Sequence, residues 1–322
     1  MNRLSWAKVL GLVLAALAWV PAVPAASWPE KPVRIIIPWP PGGSTDIVGR
    51  ILAADLTTRL KQQVIIDNRA GAGSIVGLQV ATASPPDGYT LMMTSTAYGF
   101  LIEKLKVPVD LVNSFVPVAM IGYGDAALVV HPALPVRTVQ DLIALAKKRP
   151  GEIFYASAGI GSFPQMNTEL FKLKTGVNLV HVPFKGGGPA MPDIMAGNTQ
   201  VYLGSLFQVM PHVQSSRMKL IATGGTRRNP KTPDVPTIAE TVPGYESRIW
   251  WGIFAPPKTP ADIIARFHGE TNEVISTPAF QKRLDEQGGE VVKMSSADFG
   301  KLMLSEQNKW AEVIRAAGIK GE

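Results

Sequence analysis

The chain has 322 residues, 46% of them hydrophobic and 18% charged, with 30 Gly, 27 Pro and a formal net charge of +7. That mixture is too apolar for a disordered chain and too varied for a coiled coil, and its length suits about two domains of roughly 150 residues with an ample core. Cys is absent, which excludes disulfides, thiolate metal sites, iron–sulfur clusters and cysteine nucleophiles.

Residues 1–26 read as an export signal. Arg3 and Lys8 form a basic start, positions 9–20 are uninterrupted apolar residues, and Val23, Pro24 and Ala25 end in small side chains suited to cleavage. A leader of residues 1–25 follows. Twelve helical residues rise only ~18 Å, short of the ~30 Å needed to cross a bilayer. The expected compartment of the mature chain is the periplasm. Its basic residues are scattered, and the runs Lys147-Lys148-Arg149 and Arg227-Arg228 lack interleaved aromatics, so nucleic acid is not an expected partner.

Val33, Arg34, Ile35, Ile36 and Ile37 predict a buried strand, broken by the Pro- and Gly-rich stretch 38–43. From Ser44 a helix is expected, because Val48, Leu52, Leu56 and Leu60 recur every four residues as one apolar stripe. A strand at 64–66, a helix opening at 71–74 and a strand at 90–94 continue the pattern. Strand, loop and helix in alternation predict parallel sheet flanked by helices.

The pattern restarts near Ala127 with a strand at 128–130. Thr138 and Asp141 resemble a capping box ahead of Val139, Leu142, Ile143 and Ala146. Strands at 153–156, 179–182, 201–203 and 219–222 alternate with helices at 162–174 and 188–196. The tail from Ala261 is helical, with Ile263, Ile264, Phe267, Val274, Phe299, Leu302, Met303, Trp310 and Val313 on its apolar faces. These helices are expected to return to the first module. The reading is a discontinuous first domain, 26–122 plus 228–322, an inserted second domain, 123–227, and a cleft between them.

Three loops have chemistry. Pro40, Pro41, Gly42, Gly43, Ser44, Thr45 and Asp46 join a strand to a helix; the glycines let backbone approach a ligand, and the helix start supplies unpaired N–H groups and partial positive charge. The other reading is that Ser44, Thr45 or Asp46 caps the helix. Tyr155, Ala156, Ser157, Ala158, Gly159, Ile160, Gly161 and Ser162 repeat that grammar in the second module. Lys185, Gly186, Gly187, Gly188 and Pro189 precede a helix bearing Asp193, which either orders water in the cleft or faces solvent. Trp39 is either core or pocket wall.

Other chemistries find little support. Gly71, Ala72, Gly73 and Gly77 have the wrong spacing for a dinucleotide fingerprint. His131, His181, His212 and His268 stand far apart, so neither a metal nor any cofactor is expected. Ser157 is not in a nucleophile elbow. A hydrolase alternative would pair Ser157 or Ser162 with His181, with no third group evident.

In order and spacing, several motifs together resemble a known family. They are Trp28-Pro29 with Lys31-Pro32, the Pro-Gly-Gly-Ser-Thr-Asp-Ile loop at 41–47, Asn68-Arg69-Ala70-Gly71-Ala72-Gly73 and Pro86-Asp87-Gly88-Tyr89-Thr90-Leu91. Ala156-Ser157-Ala158-Gly159, His181-Val182-Pro183-Phe184-Lys185-Gly186, the run from Asp234 to Glu240 and Trp251-Gly252 follow. Over essentially its mature length the chain resembles the substrate-binding receptors of tripartite tricarboxylate transporters, the Bug or TctC type. The resemblance implies a monomeric, non-enzymatic periplasmic receptor with the two-domain Venus-flytrap α/β fold (type II-like, each domain a mainly parallel sheet flanked by helices). It implies a small carboxylate-bearing ligand (di- or tricarboxylate, amino acid or aromatic acid) gripped between pincer loops at 39–46 and 157–163, and membrane permease subunits or a sensor as partner. The residues carried over are Trp39, Gly43, Ser44, Thr45 and Asp46 on one side, Ser157, Gly161 and Ser162 on the other, Thr94 and Ser95 at a third strand end, and Asp193. Gln165 stands where many members carry His, and Phe184 where Tyr is common.

Overall fold

The computed structural model describes residues 28–100 and 115–318. The export signal read at residues 1–26 lies outside the described residues. Up to Glu30 the described residues are Trp28, Pro29 and Glu30, with a cis Trp28–Pro29 peptide; from Lys31 onward the described residues form one compact unit.

That unit opens with β1 (Val33–Ile37), α1 (Ser44–Leu60), β2 (Val64–Asn68), α2 (Ile75–Thr82) and β3 (Thr90–Ser95). The four-residue repeat of α1 is its buried stripe: Val48, Leu52, Leu56 and Leu60 all face inward. β1 is paired in parallel with β2 and β3, as right-handed βα units require. Next comes β4 (Val116–Val130), longer than the 128–130 segment expected from sequence. Pro117, Gly122, Gly124 and Asp125 hide it, because each disfavours strand by propensity. The pairing register shifts between Pro117 and Ala119 and again between Met120 and Gly122, so the proline sits beside an irregularity, the kind of place where strands admit it.

The chain continues through α3 (Val139–Lys148), β5 (Phe154–Ser157), α4 (Phe163–Thr175), β6 (Val180–Pro183), α5 (Gly187–Ala196), β7 (Val201–Ser205), α6 (Leu206–Gln214) and β8 (Lys219–Thr223). Thr138 and Asp141 cap α3 reciprocally, side chain to backbone in both directions. Helix α6 is absent from the sequence reading because Pro211 lies inside it. The return path holds β9 (Arg248–Ala255), α7 (Ala261–Ile275), α8 (Pro278–Asp285), β10 (Gly289–Val291) and α9 (Ser296–Ala316).

The strand order is β2-β1-β3-β9-β4-β7-β5-β6, with β8 and β10 also paired to β4. Consecutive βα units contribute parallel pairs, whereas β4 runs antiparallel to β7, β8, β9 and β10. Residues 116–125 of β4 pair with β9, and residues 126–130 pair with β7 and β8. One strand therefore belongs to both halves of the sheet. Each half has its own core. In the first, Ile36, Met92, Met120, Trp250, Phe254 and Phe299 pack together; in the second, Val129, Ala156, Ile194, Tyr202, Val209 and Met210 do so.

Helix α9 seals the first core through Phe299, which is fully buried. Its ring meets Trp250 edge-on at 5.4 Å and Phe254 at 5.1 Å. It also lies over Gly252, where an added Cβ would fall 2.1 Å from the ring. Phe299→Ala is expected to cost about 3–5 kcal/mol of unfolding free energy, read as a lower urea midpoint with an unchanged m value; a loss under about 1 kcal/mol would mean that α9 does not close this core.

Candidate functional site

Between the two halves lies a cavity of about 480 Å³, partly open to solvent. Trp39, Pro40, Gly43, Ser44, Thr45 and Asp46 line it from the loop after β1 and the first turn of α1. Ser95 ends β3, Ala97 lies in the turn that follows it and Ile249 is on β9, and Ala158, Ser162, Phe163 and Pro164 come from the loop after β5 and the start of α4. Gly187, Tyr202, Ser205 and Gln208 complete the wall. No Lys, Arg or His is among these residues.

The positive potential comes instead from backbone. Helices α1, α4, α5 and α6 begin at the cavity, with Gly43, Ser162, Gly186 and Ser205 at their N-caps, and none of the four has a side chain accepting from its first-turn amides. Elsewhere Thr138, Thr237, Thr277 and Ser295 supply such caps. Missing caps alone are not diagnostic, since α2 and α7 also lack them; convergence on one hollow is. Each helix start presents unpaired N–H groups and roughly half a positive charge.

Asp46 is the one carboxylate among the described residues of the wall, and it is compensated. Gly42 N–H donates to its Oδ2 at 3.0 Å, and Arg50 Nε does so at 3.1 Å. Arg50 Nη2 lies 2.9 Å from Oδ1. Arg50 also donates to Asn68 Oδ1, and Asn68 Nδ2 donates to the Trp39 carbonyl, each at 3.0 Å. Burial pushes the Asp46 carboxyl up, but Arg50, the Gly42 amide and Asn68 outweigh it and hold the group below its usual 3.8. The residue thus pins the 39–43 loop and puts little net negative charge against an anion.

The second loop is wired internally. Ser157 Oγ lies 2.6 Å from His181 Nε2, accepts from Gly159 N–H at 3.0 Å and donates to the Gly159 carbonyl at 3.2 Å. Gly161 N–H donates to Gln165 Oε1 at 2.7 Å, which fixes the amide and turns Gln165 Nε2 towards His181 Nδ1 at 3.4 Å. A donor facing Nδ1 makes that nitrogen the acceptor, so the ring proton sits on Nε2 and points at Ser157. The ring is stacked on Tyr155 at 4.8 Å. Ser157 is fully buried and its hydroxyl has one donor and two acceptor contacts, which exhausts it.

Of the residues carried over from sequence, Trp39, Gly43, Ser44, Thr45, Asp46, Ser95 and Ser162 line the cavity. Four do not. Thr94 lies on β3 and is buried outside the wall. Ser157 and the Gly161 amide are spent on His181, Gly159 and Gln165. The Asp193 carboxylate accepts from Thr199 Oγ1 at 2.7 Å and Asn198 Nδ2 at 3.1 Å, closing the turn after α5. Sequence reading missed Tyr202, Ser205 and Gln208. The signal was available for Ser205, which follows a strand and opens a helix as Ser162 opens α4.

The two halves also touch through backbone. A Cβ on Gly188 would stand 2.5 Å from the Pro41 carbonyl, and one on Gly186 would stand 2.7 Å from Pro40 Cγ. Gly186 has φ +136°, which L side chains rarely adopt. Gln208 Nε2 adds a long bond to the Gly42 carbonyl at 3.4 Å. Only glycine lets the turn at 186–188 lie on the turn at 40–42.

Comparisons with known proteins agree on one family. Residues 48–319 match the family described as Tripartite tricarboxylate transporter family receptor. Protein BugT of Bordetella pertussis is 33% identical, with 99% of each chain covered. A protein of R. palustris solved with adipate superposes with a TM-score of 0.86 at 31% identity, covering 92% of this chain and 100% of that one. MatC from Rhodopseudomonas palustris, solved with bound malate, superposes at 0.84 with 25% identity, covering 89% and 100%. The chain thus has the two-domain α/β fold of periplasmic binding proteins.

Two outcomes are expected from this geometry. Gly188→Ala forces a methyl against a carbonyl and separates the two turns, so small-angle scattering should give a larger radius of gyration than for the unsubstituted chain; equal radii would remove the contact from any role in holding the halves together. Asp46 titrates below its ordinary value, so its contribution to stability is complete above pH 3.8 and disappears as the pH drops through the lowered folded value. Urea midpoints of the unsubstituted chain and Asp46→Asn should therefore converge on acidification from about pH 5 towards about pH 2; a gap that stays constant would rule out that linkage.

Proposed function

This chain belongs to the tripartite tricarboxylate transporter receptor family, and from that premise we propose that it is an exported receptor holding a small organic acid in the cleft between its two halves. The observation that carries this reading is the convergence of four uncapped helix starts on a cavity that has no cationic side chain among the described residues of its wall. A carboxylate is the natural guest: it accepts only, and aligned N–H groups offer donors only. Charge-assisted bonds of about 1.5–3 kcal/mol each suit micromolar capture with no pocket arginine. The adipate and malate held by the two structural relatives favour an organic acid as ligand class.

In this reading the domains are residues 26–122 with 228–322, and residues 123–227. The hinge is the changeover on β4 together with the return path near residues 224–229. The ligand enters an open cleft, bonds to α1 from one side and α4 from the other, and favours closure because those contacts exist together only in the closed form. Moving a population from 1:99 to 99:1 takes about 5.5 kcal/mol of differential affinity. The closed form is then offered to membrane permease subunits in the periplasm, after removal of the leader. The family description favours a permease over a sensor as the partner.

An enzymatic reading is disfavoured by the Ser157–His181 pair itself. The imidazole donates to the hydroxyl, the reverse of a general base, and the hydroxyl is buried.

Calorimetry of the mature chain against di- and tricarboxylates, amino acids and aromatic acids is expected to yield at least one micromolar ligand, with compaction in scattering. Gly43→Val should abolish that binding while the chain stays folded, since space is open around an added Cβ there. No ligand in the panel and no compaction would end the receptor reading; full affinity in Gly43→Val would take the first loop out of the site.

A further inference from the structure

A second cavity, of about 610 Å³ and partly open to solvent, shares no lining residue with the cleft. It is bounded by Asp125 at the changeover of β4, the return path at 225–230, Arg248 at the start of β9, Asp285 at the end of α8 and the turn at 288–290. Most of its charges are settled. Arg248 lies between Asp125 and Glu290, Asp285 pairs with Lys231, and Arg228 donates twice to Glu240. Arg227 differs: it is exposed and has no hydrogen bond or ion pair among the described residues. The backbone N–H groups of Gly225, Thr226 and Arg227 have no acceptor among them either, although Gly225 is buried. A buried amide without an acceptor calls for a partner. Residues 225–227 thus bring to one wall a guanidinium and three successive amides, all of which can only donate.

We propose that this second cavity is a site for a tetrahedral oxyanion of the phosphate or sulfate class, held by Arg227 and the amides of 225–227, and that it is coupled to the cleft. A tetrahedral oxyanion offers acceptors in several directions and fits the fork of a guanidinium with two oxygens at once. The acids of the wall put little net negative charge against it, since each has a cationic partner. The coupling has a path. Asn229 Nδ2 donates to Asp125 Oδ2 at 2.8 Å and to the Gly288 carbonyl at 3.2 Å. Gly288, at φ +78°, lies on Leu206, where an added Cβ would stand 2.5 Å from Cδ2. Leu206 is the first residue of α6 and follows Ser205 of the cleft wall. An anion that fixes the return path therefore fixes, through Asn229 and Gly288, the seat of α6. The cavity exists in the form whose halves touch at 40–42 and 186–188, so a guest in it favours that form and, by linkage, the guest of the cleft. The coupling rests on the receptor reading above; the oxyanion site does not.

The test is calorimetry of the mature chain with inorganic phosphate, sulfate and acetate in chloride buffer, without any organic acid of the panel. Phosphate and sulfate are expected to bind saturably at one site, with acetate at least about tenfold weaker. Arg227→Gln should weaken phosphate by at least about tenfold, the size of one charge-assisted hydrogen bond, with an unchanged Tm in phosphate-free buffer because the side chain has no partner to lose. Lys147→Gln, which removes an exposed charge from α3, should change phosphate affinity less than about twofold. Gly43→Val should leave phosphate binding intact. Absence of saturable phosphate binding, equal affinity for acetate, equal losses in Arg227→Gln and Lys147→Gln, or loss in Gly43→Val with retention in Arg227→Gln would each overturn the site. For the acid that binds the cleft, saturating phosphate should tighten binding at least about threefold in the unsubstituted chain and leave it unchanged in Arg227→Gln; an unchanged or weakened affinity in the unsubstituted chain would overturn the coupling. If phosphate binds and no acid does, the oxyanion site stands, and the receptor reading falls together with the coupling that rests on it.

Discussion

Strand β4 is the constraint on which the molecule depends. Its first ten residues pair with β9, joined by β10 on the other edge at 122–124, and its last five lie between β7 and β8. Where both edges are paired its backbone groups are satisfied away from water, and the strand is buried along most of its length. At the changeover stands Asp125, itself buried, accepting from Arg248 Nε at 3.1 Å and Asn229 Nδ2 at 2.8 Å. A buried carboxylate is tolerated when its partners are this complete. The same three residues join β4, the return path and the start of β9. These bonds tie the two halves of the sheet together, and the turns at 40–42 and 186–188 touch as well.

The division of labour among helix starts follows from that arrangement. Of the helices that begin away from the cavity, α3, α8 and α9 have their first turns closed by Thr138, Thr277 and Ser295, whereas α2 and α7 do not. Where α1, α4, α5 and α6 begin against the cavity, the first-turn amides are left open. Hydroxyls divide in the same way. Ser157 is saturated by His181 and Gly159 and stiffens the loop behind the wall, whereas Ser205 is buried against the hollow with its bonding capacity unused. Two serines at equivalent strand ends thus differ in role because of their neighbours, His181 on β6 for one and no polar partner among the described residues for the other.

Much of the fold could be read from local pattern. β1, α1, β2, β3, α3, β5, α4 and α5 follow from apolar spacing, punctuation by Gly and Pro, and one capping box. The elements that escaped are those whose composition contradicts their state: the first part of β4, with its proline and glycines, and α6, with Pro211. β9 is not among the strands expected from sequence. Trp250 and Trp251 point to opposite faces of a strand, one against Phe299 and the other against Phe207, and that alternation needs partners on both faces to become visible.

By itself the sequence determined the repeated strand–loop–helix order, the glycine-lined loop at 39–46, the absence of thiol chemistry and the family resemblance, because each depends on residues close together in the chain. Tertiary structure alone decided which polar groups stay available to a guest. Gln165 takes the Gly161 amide, His181 takes Ser157, Thr199 and Asn198 take Asp193, and nothing described takes Ser205. A hydrogen bond has one donor and a fixed short reach, so its assignment is set by which side chain arrives within about 3 Å, and for Ser157 that side chain comes from a strand 24 residues further on.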